Sequence, residues 1–248
     1  MRTARSQWRG RIRNFIAYCR EFGFRGAVEI VWHRLCASKE FGVRVRGIPS
    51  RVWIRRDASD FALLRKIVRD RECLPSLSFE PRSIVDLGAN VGYCSLLYVA
   101  VWPRAKILCV EPHPDNARIL RRNLRPYTNV HVVEAACWPR KETVVIENPE
   151  ALTVSFRTKS EHLGLTVPVV TPDELVHAVG GPVDLIKCDI EGAEGLLFDT
   201  TLFTTCRALV IELHERYYPG VTELFRRYVH KRKGSILPLG EYLTVIFH

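Results

Sequence analysis

The sequence predicts an α/β fold: a mostly parallel, seven-stranded sheet with helices on both faces and a C-terminal antiparallel hairpin. Three observations predict it. From Arg82 onward, apolar runs of strand length alternate with stretches of helical periodicity. Those runs are apolar almost without interruption, as strands covered on both faces must be. The chain then ends in two apolar runs joined by Pro238-Leu239-Gly240-Glu241, a hairpin signal.

The elements follow in order. Trp8, Ile12, Phe15, Ile16 and Cys19 recur at helical spacing, with Arg5, Arg9, Arg13 and Arg20 largely off that stripe, which predicts a basic amphipathic helix. A second helix is expected after Gly26, with Val28, Val31, Trp32 and Leu35 on one face. Residues 41–46 alternate, turn at Gly47-Ile48-Pro49-Ser50 and return through Val52 and Ile54 as a hairpin. Ser59 or Asp57 then caps a helix whose apolar face is Phe61, Leu64, Ile67 and Val68. Strands are expected at 84–87, 106–111, 130–134, 183–189 and 208–213, with helices at 92–101, 115–125, 171–179 and 193–198. The irregular stretch 142–170 is expected to add short strands. A helix over about 221–231 precedes the final runs, 235–237 and 242–247. The expected organisation is a basic helical and hairpin extension, 1–75, joined to an α/β domain, 76–248.

Charged residues at 26% and apolar ones at 47% of 248 describe a globular protein with a real core. No apolar run approaches the ~20 residues that span a bilayer. The longest, 93–102, reads as a buried helix. Residues 1–13 carry five arginines and no apolar run follows, so no signal-peptide pattern is present and a cytoplasmic location is expected. The eight cysteines are scattered without a C-x-x-C pair and read as reduced, mostly buried thiols. The net charge of +10 is unevenly placed. Residues 1–70 hold seventeen Lys/Arg against six Asp/Glu, and the remainder is nearly neutral.

The chemistry gathers at strand ends. Val85-Asp86-Leu87-Gly88-Ala89-Asn90-Val91-Gly92 carries a strand into a glycine loop and then a helix, the first crossover of an open α/β sheet and the place where its ligand crevice forms. Glu111 ends the next strand, where an acid bonds ribose hydroxyls. The loop is not G-x-G-x-x-G and an aspartate precedes it, which suits a ligand bearing an ammonium and a sulfonium better than a pyrophosphate. Further on, Lys187-Cys188-Asp189-Ile190-Glu191-Gly192-Ala193-Glu194 follows an apolar run, and strand periodicity would set Lys187, Asp189 and Glu191 on one face. Glu212 and His214 share a face at the end of the next strand.

V-D-L-G-A-N-V-G, V-E-P-H-P at 110–114 and D-L-I-K-C-D-I-E-G-A-E at 184–194 resemble the FkbM-type methyltransferases. The upstream I-R-R-D-A-S-D segment, ending at Asp60, and A-L-V-I-E-L-H-E, 208–215, resemble that family too, so the likeness runs from about residue 43 to 247. It implies a Rossmann-like class I methyltransferase fold, S-adenosylmethionine as donor and O-methylation, often of sugars or natural products. It also implies that Asp86, Gly88, Asn90 and Gly92 cradle the methionine part, that Glu111 holds the ribose, and that Glu134 and Ala135 lie near the adenine. Ala89, Tyr93, Pro112 and Asp189 complete the donor-binding set. The Arg-rich start is outside the family pattern.

Methyl transfer to an alcohol needs alignment and a base. Asp189 or Glu191 is the expected base, with Lys187 holding their charge state or orienting the substrate oxygen, and His214 in reserve. No ligand spacing demands a metal, although Asp189, Glu191 and Glu212 could instead collect a divalent cation. The expected acceptor is a small-molecule hydroxyl, of a sugar, glycolipid or natural product. Two rival functions stay open. The basic first 70 residues could bind RNA for methylation, although no base-stacking aromatic pair and no N-P-P-Y or D-P-P-Y element accompanies them. Alternatively, the N-terminal helix could lie on an anionic membrane, either as a peripheral anchor or as part of a non-catalytic protein.

Overall fold

The computed structural model describes residues 4–36, 38–56, 58–146, 158–159 and 164–248, with backbone alone for 4–11, 35 and 158–159. The chain forms two compact units, Met1–Arg71 and Glu72–His248.

In the first unit, helix α1 (Ala4–Leu35) breaks at Gly23, whose φ of 77° is not helical. The break was expected at Gly26. That glycine stays helical because it lets a neighbouring strand come close: a Cβ there would lie 2.2 Å from the Arg44 carbonyl oxygen. Strands β1 (Glu40–Arg44) and β2 (Arg51–Arg55) pair antiparallel, as expected. Helix α2 (Asp60–Asp70) follows, with Ser59 at its N-cap position; Asp57 lies outside the described residues. Buried Asp60 accepts the Arg55 backbone N–H at 2.9 Å and a two-pronged guanidinium contact at 2.9 and 2.8 Å, tying hairpin to helix. The core side of α1 is Tyr18, Phe22, Ala27 and Ile30, and Phe22 stacks on Phe61 of α2. The stripe read from the sequence lies largely outside this core. Ile12, Ile16, Val28, Val31 and Trp32 are exposed, Phe15 and Cys19 are half-buried, and the Trp8 side chain is outside the described residues. The helix is apolar on two sides, and aromatic packing with α2 selects the Tyr18–Phe22 side.

The second unit is built on a seven-stranded sheet in the spatial order Gly234–Leu239, Tyr242–Phe247, Ala208–Ile211, Leu185–Cys188, Ser83–Leu87, Lys106–Val110, Val130–Val133. β3 (Ser83–Leu87), β4 (Lys106–Val110), β5 (Val130–Val133), β11 (Leu185–Cys188) and β12 (Ala208–Ile211) run parallel. Every residue of β3, β11 and β12 is buried, which accounts for runs that are apolar apart from Ser83, Asp86 and Lys187. Helices α3 (Tyr93–Val101), α4 (Pro114–Leu124) and α5 (Pro172–Val179) make the crossovers, and α5 starts with a Thr171–Glu174 capping box. Between β5 and α5 the described residues form short strands: β6 (Ala136–Cys137), β7 (Val144–Ile146), β8 (Thr158–Lys159), β9 (Leu165–Val167) and β10 (Val169–Val170). β6 pairs with β10, and β7 lies between β8 and β9.

The helix expected at 193–198 is instead a 3₁₀ turn, Glu194–Leu196, followed by the short helix α6 (Thr201–Thr205). Glu194 is drawn inward, accepting the Gly192 N–H at 3.1 Å, and Gly195 packs under Tyr218, whose ring a Cβ there would approach to 3.1 Å. Helix α7 (Val221–Lys231) packs Phe225 and Tyr228 into a cluster with Leu175, Phe198 and Phe203. β13 (Gly234–Leu239) and β14 (Tyr242–Phe247) complete the sheet antiparallel. Their turn is only Gly240-Glu241, shorter than expected. Pro238 joins the strand because β13 is the sheet edge, where a missing N–H is tolerated. No helix among the described residues is long and apolar enough to cross a membrane.

Candidate active site

The chain reverses direction across the sheet between β3 and β11, and ligands bind outside the carboxyl ends of strands at such a point. There the β3–α3 loop and the segment after β11 touch. Gly88, at φ +70°, leaves room for the Asp189 carbonyl oxygen, which a Cβ would approach to 1.8 Å. Gly92, at φ +89°, lies where a Cβ would meet Leu120 of α4 at 2.6 Å. The backbone contact requires glycine at 88, and the left-handed φ disfavours any side chain at 92. Each loop also holds one non-glycine residue in the left-handed region, Asn90 at φ 51° and Glu191 at φ 55°; such strain collects at functional sites.

Lys187 lies beneath this junction, 3% exposed. Its ammonium donates to the Gly88 carbonyl at 2.7 Å and the Leu87 carbonyl at 3.4 Å, and pairs with Asp86 at 3.3 Å and Asp189 at 3.6 Å. Burial alone would lower its pKa, but the Asp86 and Asp189 carboxylates raise it well above the usual lysine value, so the ammonium keeps its proton. Asp86 is wholly buried and also accepts the Ser95 hydroxyl at 2.6 Å. The Lys187–Asp86 pair thus secures the glycine loop from below.

Above it, four carboxylates surround one imidazole. His214 Nδ1 is 2.7 Å from Glu194, which is 0% exposed. His214 Nε2 faces Glu191 at 3.4 Å, Glu212 at 3.7 Å and Asp189 at 3.8 Å. Burial would lower the histidine pKa, but the hydrogen bond and charge of Glu194, with Glu191 and Asp189, push it up to about 9. Glu191 is pushed up to about 7, chiefly by burial, against the pull of His214 and with Asp189, Glu212 and Glu194 adding repulsion. Asp189 also accepts the Tyr242 hydroxyl at 2.7 Å. Among the described residues, Asp189, Glu212 and His214 each offer a ligand atom within 4.8 Å of the others, so a cation set there would include His214 where the sequence suggested Glu191.

Strand periodicity fails for part of this set. β11 ends at Cys188 and Glu191 has turned out of the strand, so it reaches the cluster through its left-handed backbone and not by sharing a face with Lys187. Glu111, Asp189 and Glu212 each follow the last residue of a strand, with the N–H bonded to the neighbouring strand (Val133, Leu87 and Cys188 carbonyls) and the carboxylate at the lip of the sheet.

Glu111 is 4% exposed and accepts the N–H groups of Asn90 at 2.8 Å and His113 at 3.0 Å. Burial, opposed by those hydrogen bonds, pushes its pKa up to about 7. Ala89, Tyr93 and Ala135 are buried nearby in sequence and Pro112 is half-buried. Glu134 stands apart from the cluster, paired with Arg121 at 2.6 Å. The donor set at the strand ends is thus carboxylate-rich, with its one lysine neutralised below. That chemistry fits a ligand carrying positive charge and a ribose, as S-adenosylmethionine does, and disfavours a pyrophosphate.

Two contributors carried weak sequence signals. Glu194 closes the K-x-D-x-E-G-x-E run, but nothing local shows it to be the partner of a histidine twenty residues on. Tyr242 lies 53 residues from Asp189, in a hairpin with no motif.

The chain resembles known proteins. It is 26% identical over 161 residues to the 2-O-methyltransferase NoeI of Sinorhizobium fredii (strain NBRC 101917 / NGR234), a match covering 57% of this chain and 63% of that one, under two thirds of its length. Among solved structures, it resembles Aeropyrum pernix fibrillarin in complex with natively bound S-adenosyl-L-methionine (13% identity, TM-score 0.46, 85% of this chain and 94% of that one). It also resembles a putative caffeoyl-CoA O-methyltransferase from Staphylococcus aureus (12% identity, TM-score 0.44, 77% and 93%). The sequence pattern of the Methyltransferase FkbM domain matches residues 86–232, more than half of the chain and all of the strand-end cluster, and the protein belongs to that family.

Proposed function

We propose that the protein transfers a methyl group from S-adenosylmethionine to a hydroxyl of a small molecule, a sugar or glycoconjugate being the favoured class. The observation that carries this reading is His214, fixed at Nδ1 by a fully buried carboxylate and facing the strand-end carboxylates of Glu191, Glu212 and Asp189 with Nε2. That is how an enzyme holds a general base for a hydroxyl proton. The family and the 2-O-methyltransferase relative support the same chemistry.

S-adenosylmethionine, when bound, supplies a methyl carbon activated by its sulfonium, which departs as a neutral thioether. Glu111 would hold the ribose, with the loop from Gly88 to Gly92 and Tyr93 beside the methionine part. Ala135, Pro112 and Glu134 would border the adenine end. His214 Nε2 would take the acceptor's hydroxyl proton, leaving the oxygen able to attack the activated methyl carbon that the donor supplies. Glu194 is a positioning residue that keeps Nδ1 protonated and the ring aimed. Asp189, oriented by Tyr242 and Lys187, and Glu191 line the acceptor side and stabilise the imidazolium that forms. Lys187 acts as a lock between the two loops.

Titration calorimetry with S-adenosylmethionine and its demethylated product tests the donor site, followed by methyl-transfer assays on hydroxylated acceptors with His214→Gln alongside the wild type. Donor binding with transfer reduced roughly 10²–10⁴-fold in the variant is expected. A folded wild-type protein that binds neither compound would sink the reading.

A further inference from the structure

The N-terminal unit carries an apolar face that its own core does not use. Within α1 the core takes Tyr18, Phe22, Ala27 and Ile30. A second stripe, Ile12 and Ile16 before the break and Phe24, Val28, Val31 and Trp32 after it, is 40–69% exposed. Positions 24, 28, 31 and 32 have the spacing of one helix face. Across the break the Phe15 and Phe24 rings meet edge-on, with centroids 6.2 Å apart, which keeps the two stretches together. Ile12, Arg13, Ile16, Ala17 and Arg20 line a groove of about 420 Å³. Scattered exposed apolar residues are ordinary, but six sharing the two stretches of one helix mark an interaction surface.

Charge decides what the surface fits. The acidic residues of α1 are Glu21 and Glu29, and both are turned into the unit's own ion pairs. Glu21 meets Arg65 of α2 at 2.6 Å, and Glu29 meets Arg44 of β1 and Arg51 of β2, the latter at 2.9 Å. Arg13, Arg20 and Arg25 stay exposed beside the stripe. The face is therefore apolar with a cationic border, and no carboxylate of its helix lacks a basic partner. A second copy docked about a two-fold axis would set these arginines against one another. An anionic leaflet suits them: apolar side chains enter the acyl boundary while guanidinium groups reach lipid phosphates.

We propose that this face docks on an anionic lipid bilayer, holding the protein at a membrane surface. The inference does not depend on the methyl-transfer reading.

Flotation of the full chain with phosphatidylcholine vesicles, with and without phosphatidylserine, tests it. The wild type should float with the phosphatidylserine vesicles. Phe24→Ser with Trp32→Ser, both exposed and so harmless to the core, should lower binding roughly tenfold or more. Arg13→Gln with Arg20→Gln should lower it about fivefold per arginine and weaken its salt dependence. Wild type that fails to float, or a Phe24/Trp32 variant of unchanged circular dichroism that floats as well as wild type, overturns the proposal. So does sedimentation velocity showing a wild-type dimer that the Phe24/Trp32 variant converts to monomer, since a second copy would then cover the face.

Discussion

Replacing Glu194 by glutamine removes the buried carboxylate that holds His214 while leaving the volume of the side chain nearly unchanged. In the wild type the histidine is raised from 6.5 to about 9, a preference for the imidazolium on the order of 3 kcal/mol. The imidazole is 12% exposed, so solvent screens it little. Among the groups that raise it, Glu194 comes first, through both its 2.7 Å hydrogen bond and its charge. Glu194→Gln should therefore lower the His214 pKa by at least about one unit, with Glu191, Asp189 and Glu212 preventing a full return to 6.5. Histidine ring resonances followed by NMR across pH report this without any acceptor, and the spectrum of His214→Gln identifies the signal. The kinetic counterpart follows. With a base of pKa about 9, kcat/KM should rise about tenfold from pH 7 to pH 8 and level off above 9, and Glu194→Gln should move that rise to lower pH with a lower plateau. A wild-type His214 that titrates near 6.5, or one indifferent to the substitution, refutes the assignment of Glu194 as its positioning residue. A rate profile that levels off near 7 points instead to Glu191 as the base.

Further outcomes follow from the same geometry. Asp86→Ala leaves Lys187 buried beside a lost partner and should cost roughly 3–5 kcal/mol, seen as a large fall in Tm. Gly88→Ala drives a methyl into the Asp189 carbonyl at a left-handed φ and should destabilise by about 2 kcal/mol or more; a variant as stable as wild type would show that the two loops are not in contact. Glu111→Gln should weaken S-adenosylmethionine binding roughly ten- to a hundredfold by calorimetry while the protein stays folded. Stability should decline from pH 5 to pH 9. Glu111 and Glu191 bind protons more tightly folded than unfolded, so their contribution is present below about 4.5 and lost through about 7; that of His214 is present below 6.5 and lost through about 9. A Tm that rises over this interval contradicts the burial assigned to these groups. Turnover should survive a chelator. Loss restored by added magnesium would transfer the roles of Asp189, Glu212 and His214 to holding a cation.

Much of the frame was legible in the chain because it follows from local rules. Continuous apolar runs bounded by helical stretches located the five parallel strands, and a glycine-rich strand end marked the crevice. The residues of the cluster were legible as a group, since acids at the ends of apolar strands have no packing reason to be there. Their assignment to one another was not. Strand alternation predicted that Lys187, Asp189 and Glu191 share a face, but the strand stops at Cys188 and a left-handed backbone at Glu191 turns its carboxylate to His214 by another route. Glycine at 88 and 92 suggested close approach of the backbone to a ligand; that a Cβ at either position would also meet a carbonyl or a leucine from elements distant in sequence was not legible.

The sequence by itself determined the order of strands and helices, the place of the crevice and the chemical character of its rim, because periodicity and composition act over a few residues at a time. Tertiary structure alone decided which carboxylate holds His214, that Lys187 is locked beneath the loops, and which side of α1 is buried. Each of those depends on what a remote segment brings to the same point. Helical spacing groups Ile12 with Ile16 and Val28 with Trp32, but only the packing of Tyr18 and Phe22 against α2 shows that these residues are left outside.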